Sequence, residues 1–377
     1  MPNVHTWIRW LVACCVVVLT PVYGVAAETA KRTFRMGFTG FPHDFTLEAV
    51  ADARQFVRQN ADIIAHHIEG VPWAEALGDL PFQAKMIEEW QGKKATTTGG
   101  GAPPNGKVYL AVSPGRGDLK VAEKGLPLPP ELKGKPYDDP LVMKAYLNYC
   151  RRAIEFFRPD YMAIGIEVNE IYAAGADKWR AYLSLHKYVY EQLKQEHQGL
   201  PVFASFTLHG MLNARGKARD EMLSAYQQLM PYNDVVAVSF YPFIAGGTTF
   251  GGATQIASSL GWMTGNFDKF QKPYAVVETG EAAERLVFPK SKQVIAGTPA
   301  KQAAYYTELL AVAQARRFVF VITFVHRDYD ALWEKMKDSA PEAFMAWRDC
   351  GLLDEKGAPR PAYEVWKRYF EMPLESP

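Results

Sequence analysis

The chain has 377 residues, 48% of them hydrophobic and 13% aromatic, with 42 Lys and Arg against 41 Asp and Glu. That balance removes the electrostatic case for nucleic acid or an acidic membrane surface as partner and points to a ligand that is neutral or only locally charged. Four cysteines in this length exclude a disulfide-built scaffold, so an apolar core must carry the fold, and the length suits one large domain.

At the start of the chain Arg9 precedes an apolar run from Leu11 to Leu19, which Thr20-Pro21 closes before the small-residue exit Val25-Ala26-Ala27. The run is shorter than the roughly 20 residues that a bilayer crossing needs. Residues 1–27 therefore read as a cleaved secretory signal. The expected mature chain is secreted, periplasmic or extracellular, without stable membrane association, and residues 28–377 form one catalytic domain. It keeps two cysteines, Cys150 and Cys350.

Beyond the signal, eight short apolar or β-branched runs follow in order: Phe34–Phe38, Asp62–His67, Val108–Val112, Tyr161–Val168, Val202–Leu208, Val235–Phe240, Tyr274–Glu278 and Phe318–Phe324. Most lack in-out alternation, as expected of parallel strands covered on both faces. Segments of helical period lie between them, with caps in place: Thr46 before Leu47–Asn60, Asp139-Pro140 before Leu141–Phe157, and Thr298-Pro299 before Ala300–Arg316. Eight strands alternating with helices predict an α/β fold, a single-domain (β/α)8 TIM barrel. An open doubly wound sheet is the rival, but no glycine-rich phosphate fingerprint accompanies it.

In such a barrel, functional residues gather where strands end and helices begin. Long loops follow the third, sixth and seventh runs. The stretch from Lys93 to Gly101 precedes the third and is expected on the opposite face, as a solvated loop without catalytic duty. The fourth run ends Glu167-Val168-Asn169-Glu170 and the seventh ends Glu278-Thr279-Gly280-Glu281. Ionisable groups at the ends of apolar runs cost stability unless they are paired or functional. Strands four and seven face each other across a closed barrel, and two facing carboxyls are what retaining glycoside cleavage uses, one protonated and one ionised. Glu170 is the expected proton donor and Glu278 the expected nucleophile. Glu167 lies inside the apolar run and is expected to satisfy a buried basic or hydroxyl partner, while Glu281 lies out in the loop. Tyr241, at the end of the sixth run, can hydrogen-bond Glu278, and Asn169 can offer its amide to a sugar hydroxyl. His209 and His326 are candidates for sugar hydroxyls, and Trp73, Phe243, Trp262 and Trp333 for stacking on sugar faces.

These strand ends resemble glycoside hydrolase clan A, whose members carry Asn-Glu at strand four and a glutamate at strand seven. Val168-Asn169-Glu170-Ile171, Ser239-Phe240-Tyr241-Pro242-Phe243, Val276-Val277-Glu278-Thr279 and Gly297-Thr298-Pro299-Ala300-Lys301-Gln302-Ala303 look most like family 53, the endo-β-1,4-galactanases. The resemblance implies Glu170 as acid/base, Glu278 as nucleophile and Tyr241 as its hydrogen-bond partner, acting on a plant or microbial polysaccharide or oligosaccharide without a cofactor. The eighth run reads Thr323-Phe324-Val325-His326, without the tryptophan that usually forms a subsite wall there.

Two other classes compete. A non-catalytic carbohydrate-binding barrel would keep the same cleft. A metal-dependent barrel hydrolase would use histidines near strand ends, but the His-x-His expected on the first strand is missing. His66 and His67 are adjacent, so on a strand they point to opposite faces. No metal is therefore expected at the site.

Overall fold

A computed structural model describes residues 30–98, 103, 106–121, 128–244 and 253–375. The signal reading of residues 1–27 and the tip of the Lys93–Gly101 stretch lie outside them. The parallel strands are β1 (Arg35–Thr39), β2 (Ile63–Glu69), β3 (Lys107–Ser113), β4 (Tyr161–Ala163), β5 (Val202–Phe203), β6 (Ser205–Thr207), β7 (Val236–Phe240) and β8 (Tyr274–Thr279). A short antiparallel hairpin, β9 (Arg285–Val287) with β10 (Val294–Ala296), precedes the last barrel strand, β11 (Phe320–Thr323).

The sheet runs β5-β4-β3-β2-β1-β11-β8-β7-β6. Its two edges, β5 and β6, are separated by Ala204 alone, so they are halves of one strand and the sheet closes into a (β/α)8 barrel. The eight expected strands are all present, although the fourth is shorter than its apolar run and the hairpin occupies what reads as loop after the seventh.

Helices wrap the outside: α1 (Leu47–Asn60), α2 (Trp73–Gly78), α3 (Ala84–Lys94), α4 (Pro140–Phe157), α5 (Asn169–Ala173), α6 (Ala176–Glu196), α7 (Leu208–Asn213), α8 (Lys217–Leu229), α9 (Ala253–Phe267), α10 (Pro299–Ala315), α11 (Asp330–Met336) and α12 (Pro361–Phe370). The expected caps form. Thr46 accepts from the Ala49 amide at 3.0 Å, Asp139 from Leu141 at 2.9 Å and Thr298 from Lys301 at 3.2 Å, each satisfying a donor that the first helical turn leaves open.

The core has two layers, as a filled barrel requires. Ile63, Ala65, Tyr109, Phe203, Ala237 and Phe320 pack inside the strands, and a larger cluster joins strands to helices. Tyr109 lies at the centre of the inner layer, nearly parallel to Phe203 and 5.1 Å from Phe320, and forms a floor beneath the barrel mouth. Cys150 and Cys350 are buried free thiols. Among the described residues no helix is long and apolar enough to cross a membrane.

Candidate active site

A cavity of about 930 Å³ opens at the C-terminal ends of the strands. Parity along β2 begins its polar lining. Ile63 and Ala65 face the inner core, so His67 and Glu69, two and four residues beyond Ala65, continue the same face up into the cavity. His66 turns the other way and packs against Phe157 outside the barrel. Burial lowers its pKa to about 3, so it is neutral there.

Glu278 reaches the cavity through an irregularity. The β7–β8 register runs Val238↔Val276 and then Ser239↔Glu278, and the β11–β8 register shifts at the same place. The extra residue is Val277, which joins the inner core with Ala275. Strict alternation after Val277 would send Glu278 outward. The bulge re-aims it into the cavity, a common use of bulges beside functional sites. There Tyr241 donates to Glu278 Oε1 at 2.5 Å, and His67 Nδ1 lies 3.1 Å from Oε2. Burial alone would raise the Glu278 pKa, but the bonds from His67 and Tyr241 outweigh it and hold the carboxyl below its ordinary value.

The fourth strand behaves differently. Regular pairing stops at Ala163, and Glu167 adopts a left-handed backbone, φ 49°. For a residue with a Cβ this costs about 1–2 kcal/mol, and such outliers concentrate at functional sites. The turn brings the Glu167 side chain into the cavity with 16% of its surface exposed, comparable to the 19% of Glu278. Burial, then the charge of Glu278, pushes Glu167 up to about 8, against a lesser pull downward from Arg116. Its expected basic partner is thus present but only at 4.0 Å.

Glu170 also lines the cavity, in the first turn of α5, yet it is 37% exposed and its Oε1 lies 2.5 Å from Arg116 Nη1. Arg116 also binds Glu69, at 2.9 Å, and Lys120 bonds the other oxygen of Glu69. The guanidinium reaches these carboxylates because its loop turns at Gly115 and Gly117, φ 139° and 120°, conformations that residues with a Cβ rarely adopt. At Gly115 an added Cβ would sit 1.9 Å from the Asp118 carbonyl oxygen.

A solved structure of GH5_18 from Bifidobacterium longum subsp. longum ATCC 55813, in complex with Manβ1-4GlcNAc, is similar over 91% of this chain and 80% of its own, with a TM-score of 0.64 at 11% identity. The chain has the barrel fold of glycoside hydrolases. An exo-β-1,4-mannosidase from Opitutaceae bacterium strain TAV5 is similar over 92% of this chain and 60% of its own, with a TM-score of 0.60 at 12% identity. A family 39 glycoside hydrolase from the gut symbiont Bacteroides cellulosilyticus WH2 aligns over 90% and 64%, with a TM-score of 0.53 at 15% identity. No family model matches the sequence, and no curated protein does. These likenesses show the barrel fold. None of the three is a family 53 galactanase, so that finer likeness rests on the strand-end motifs alone.

Within this barrel, Asn169 and His209 reach the cavity as expected. Asn169 Oδ1 accepts from the Thr207 amide at 3.0 Å, which leaves its NH2 as the free end. His209 Nδ1 accepts from the Tyr241 amide at 3.3 Å, and burial lowers its pKa to about 4, so the neutral ring carries its proton on Nε2.

Several expected binding residues are placed elsewhere. Trp73 is 1% exposed and its indole donates to the Lys120 carbonyl. Trp262 lies on α9 against the outer core, with Arg219 over its ring. Trp333 and Phe243 belong to a satellite cluster beside the cavity without lining it, and His326 is fully buried behind the wall. The apolar wall is made instead by Phe41, Phe324, Tyr329, Phe344 and Trp347. Phe324 lines the cavity from the eighth run, which lacks tryptophan, and Trp347 arrives from a segment distant in sequence, its ring 5.7 Å from that of Tyr241. Strand parity could have identified His67 and Glu69. No sequence signal marks Trp347.

Proposed function

We propose that this chain is a retaining β-glycoside hydrolase acting on a plant or microbial polysaccharide or oligosaccharide, with Glu278 as nucleophile and Glu167, in place of Glu170, as acid/base. One observation carries the assignment: two carboxyls share one recess, one held ionised by Tyr241 and His67, the other kept protonated near neutral pH by burial and by the first. Environments that push two acids apart in this way separate nucleophile from proton donor. Glu170 suits the donor role less well, because it is more exposed than Glu167 and its Oε1 is engaged by Arg116 at 2.5 Å.

In the first step Glu278 attacks the anomeric carbon while Glu167 delivers its proton to the departing glycosidic oxygen, leaving a glycosyl ester on Glu278. Neutralising Glu278 removes the charge that raised Glu167, so the Glu167 pKa falls as its task changes to that of a base. It then takes a proton from the water that attacks the ester, and the configuration of the sugar is retained. Asn169 Nδ2 and His209 Nε2 supply donors to sugar hydroxyls, and the aromatic wall offers a stacking face. The neighbours described as a β-mannosidase and as a complex with a β-linked disaccharide support a β-glycoside as substrate.

The test is pre-steady-state hydrolysis of activated aryl β-glycosides by the purified chain, with product configuration followed by NMR. The expected result is a burst of one aryl group per chain and a β-configured product, with the burst absent in Glu278→Gln. An inverted product, or a burst that survives in the variant, overturns the assignment.

A further inference from the structure

Behind the aromatic wall, three segments converge on a second constellation that the proposed catalysis does not use. His43 comes from the loop after β1, Asp52 from α1 and His326 from the segment after β11. One ligand atom from each lies within 4.8 Å of the other two. His43 Nδ1 is 3.5 Å and His326 Nε2 3.7 Å from Asp52 Oδ2. Those separations are long for hydrogen bonds. They are close to the edge of a tetrahedron whose centre binds N and O at about 2.0–2.1 Å, which is about 3.4 Å.

The nitrogens are also unused. Among the described residues His43 Nδ1 and both ring nitrogens of His326 have no hydrogen-bond partner, although His326 is completely buried. Two bare nitrogens on one buried ring are costly, and a metal bond to Nε2 would satisfy one of them.

We propose that His43, Asp52 and His326 form a binding site for a first-row divalent cation, with Zn2+ as the best fit to two imidazoles and one carboxylate, which ties the β1 and β11 exits to α1. Arg327 Nη1, 3.4 Å from Asp52 Oδ2, opposes the ion's charge but also orients the carboxylate, and its other end is anchored on the Glu355 carbonyl. The site is separate from the catalytic recess, so the ion's role is structural: Phe41 and Phe324, 5.1 Å apart in the cavity wall, lie close in sequence to His43 and His326.

The full chain, stripped with chelator and returned to metal-free buffer, is titrated with Zn2+ by calorimetry, and with Co2+ by visible absorption. The expected outcome is one Zn2+ per chain, a Tm that rises on loading, and a Co2+ spectrum of tetrahedral intensity. His43→Ala and Asp52→Asn change partly exposed positions, which favours retained folding, and a melt without metal verifies it. Each is expected to weaken Zn2+ binding at least tenfold and to abolish the Tm rise. Failure of the wild-type chain to bind, or equal binding in both folded variants, overturns the site. Neither readout depends on glycoside turnover.

Discussion

The exits of β4 and β8 place carboxylates at the same barrel mouth by different means. At β8 a bulge within a continuous strand turns Glu278 inward, where His67 from β2 and Tyr241 at the end of β7 bond it and hold it ionised. At β4 the strand stops early, a left-handed residue re-aims Glu167, and Glu170 is drawn three residues further on to an arginine at the rim. Standing at the end of an apolar run is therefore not enough to fix a role. The groups that meet the carboxyl decide whether it carries a proton.

The sharpest way to break this contrast is to compare Glu167→Gln with Glu170→Gln. Loss of the proton donor slows substrates with poor leaving groups by about 10²–10⁴-fold and activated ones much less. That pattern is expected for Glu167→Gln. Glu170→Gln removes a partly exposed ion pair, an interaction worth roughly 0–1 kcal/mol, and is expected to change kcat/KM by less than about tenfold. The opposite ranking in steady-state kinetics would return the donor role to Glu170.

A second comparison uses pH. Tyr241→Phe deletes a bond to ionised Glu278, so the Glu278 pKa rises and the acid limb of the kcat/KM profile moves to higher pH. Glu167 contributes to stability with the opposite sign from a salt-bridged carboxylate. Its folded value, about 8, lies above the ordinary 4.5, so the folded state keeps a proton that the unfolded chain has released. That contribution is full below about 4.5 and is lost as pH rises through about 8. Urea denaturation across this window is expected to show a shallower decline in Glu167→Gln than in the wild type; equal slopes would place Glu167 in a less buried setting.

The smallest effect concerns the wall. Trp347→Ala removes a stacking face worth roughly 0.5–1.5 kcal/mol, so KM should rise about two- to tenfold with little change in kcat. Trp262→Ala should lower Tm and leave KM unchanged, since its ring packs on the outer core. Inhibition constants for a cellooligosaccharide or mannooligosaccharide series would sharpen the difference.

Much of this was legible beforehand. Caps at Thr46, Asp139 and Thr298 marked helix starts because an N-terminal turn needs its donors satisfied locally. Glu278 ends an apolar run, Tyr241, Asn169 and His209 follow one, and all four line the cavity. Trp73, Trp262 and Trp333 also come after runs but pack away from the cavity, because an aromatic after a strand can pack on helices as readily as it lines a mouth and local sequence does not distinguish the two.

The sequence by itself determined the alternation of strand and helix, hence the closed barrel, because periodicity and capping are short-range properties that each segment carries alone. Tertiary structure alone decides what surrounds each glutamate at the barrel mouth. A bulge and one left-handed residue shift side-chain parity by a single step, and Arg116, from a glycine-flanked loop more than fifty residues away in sequence from Glu170, claims one carboxylate and leaves the other free to hold a proton.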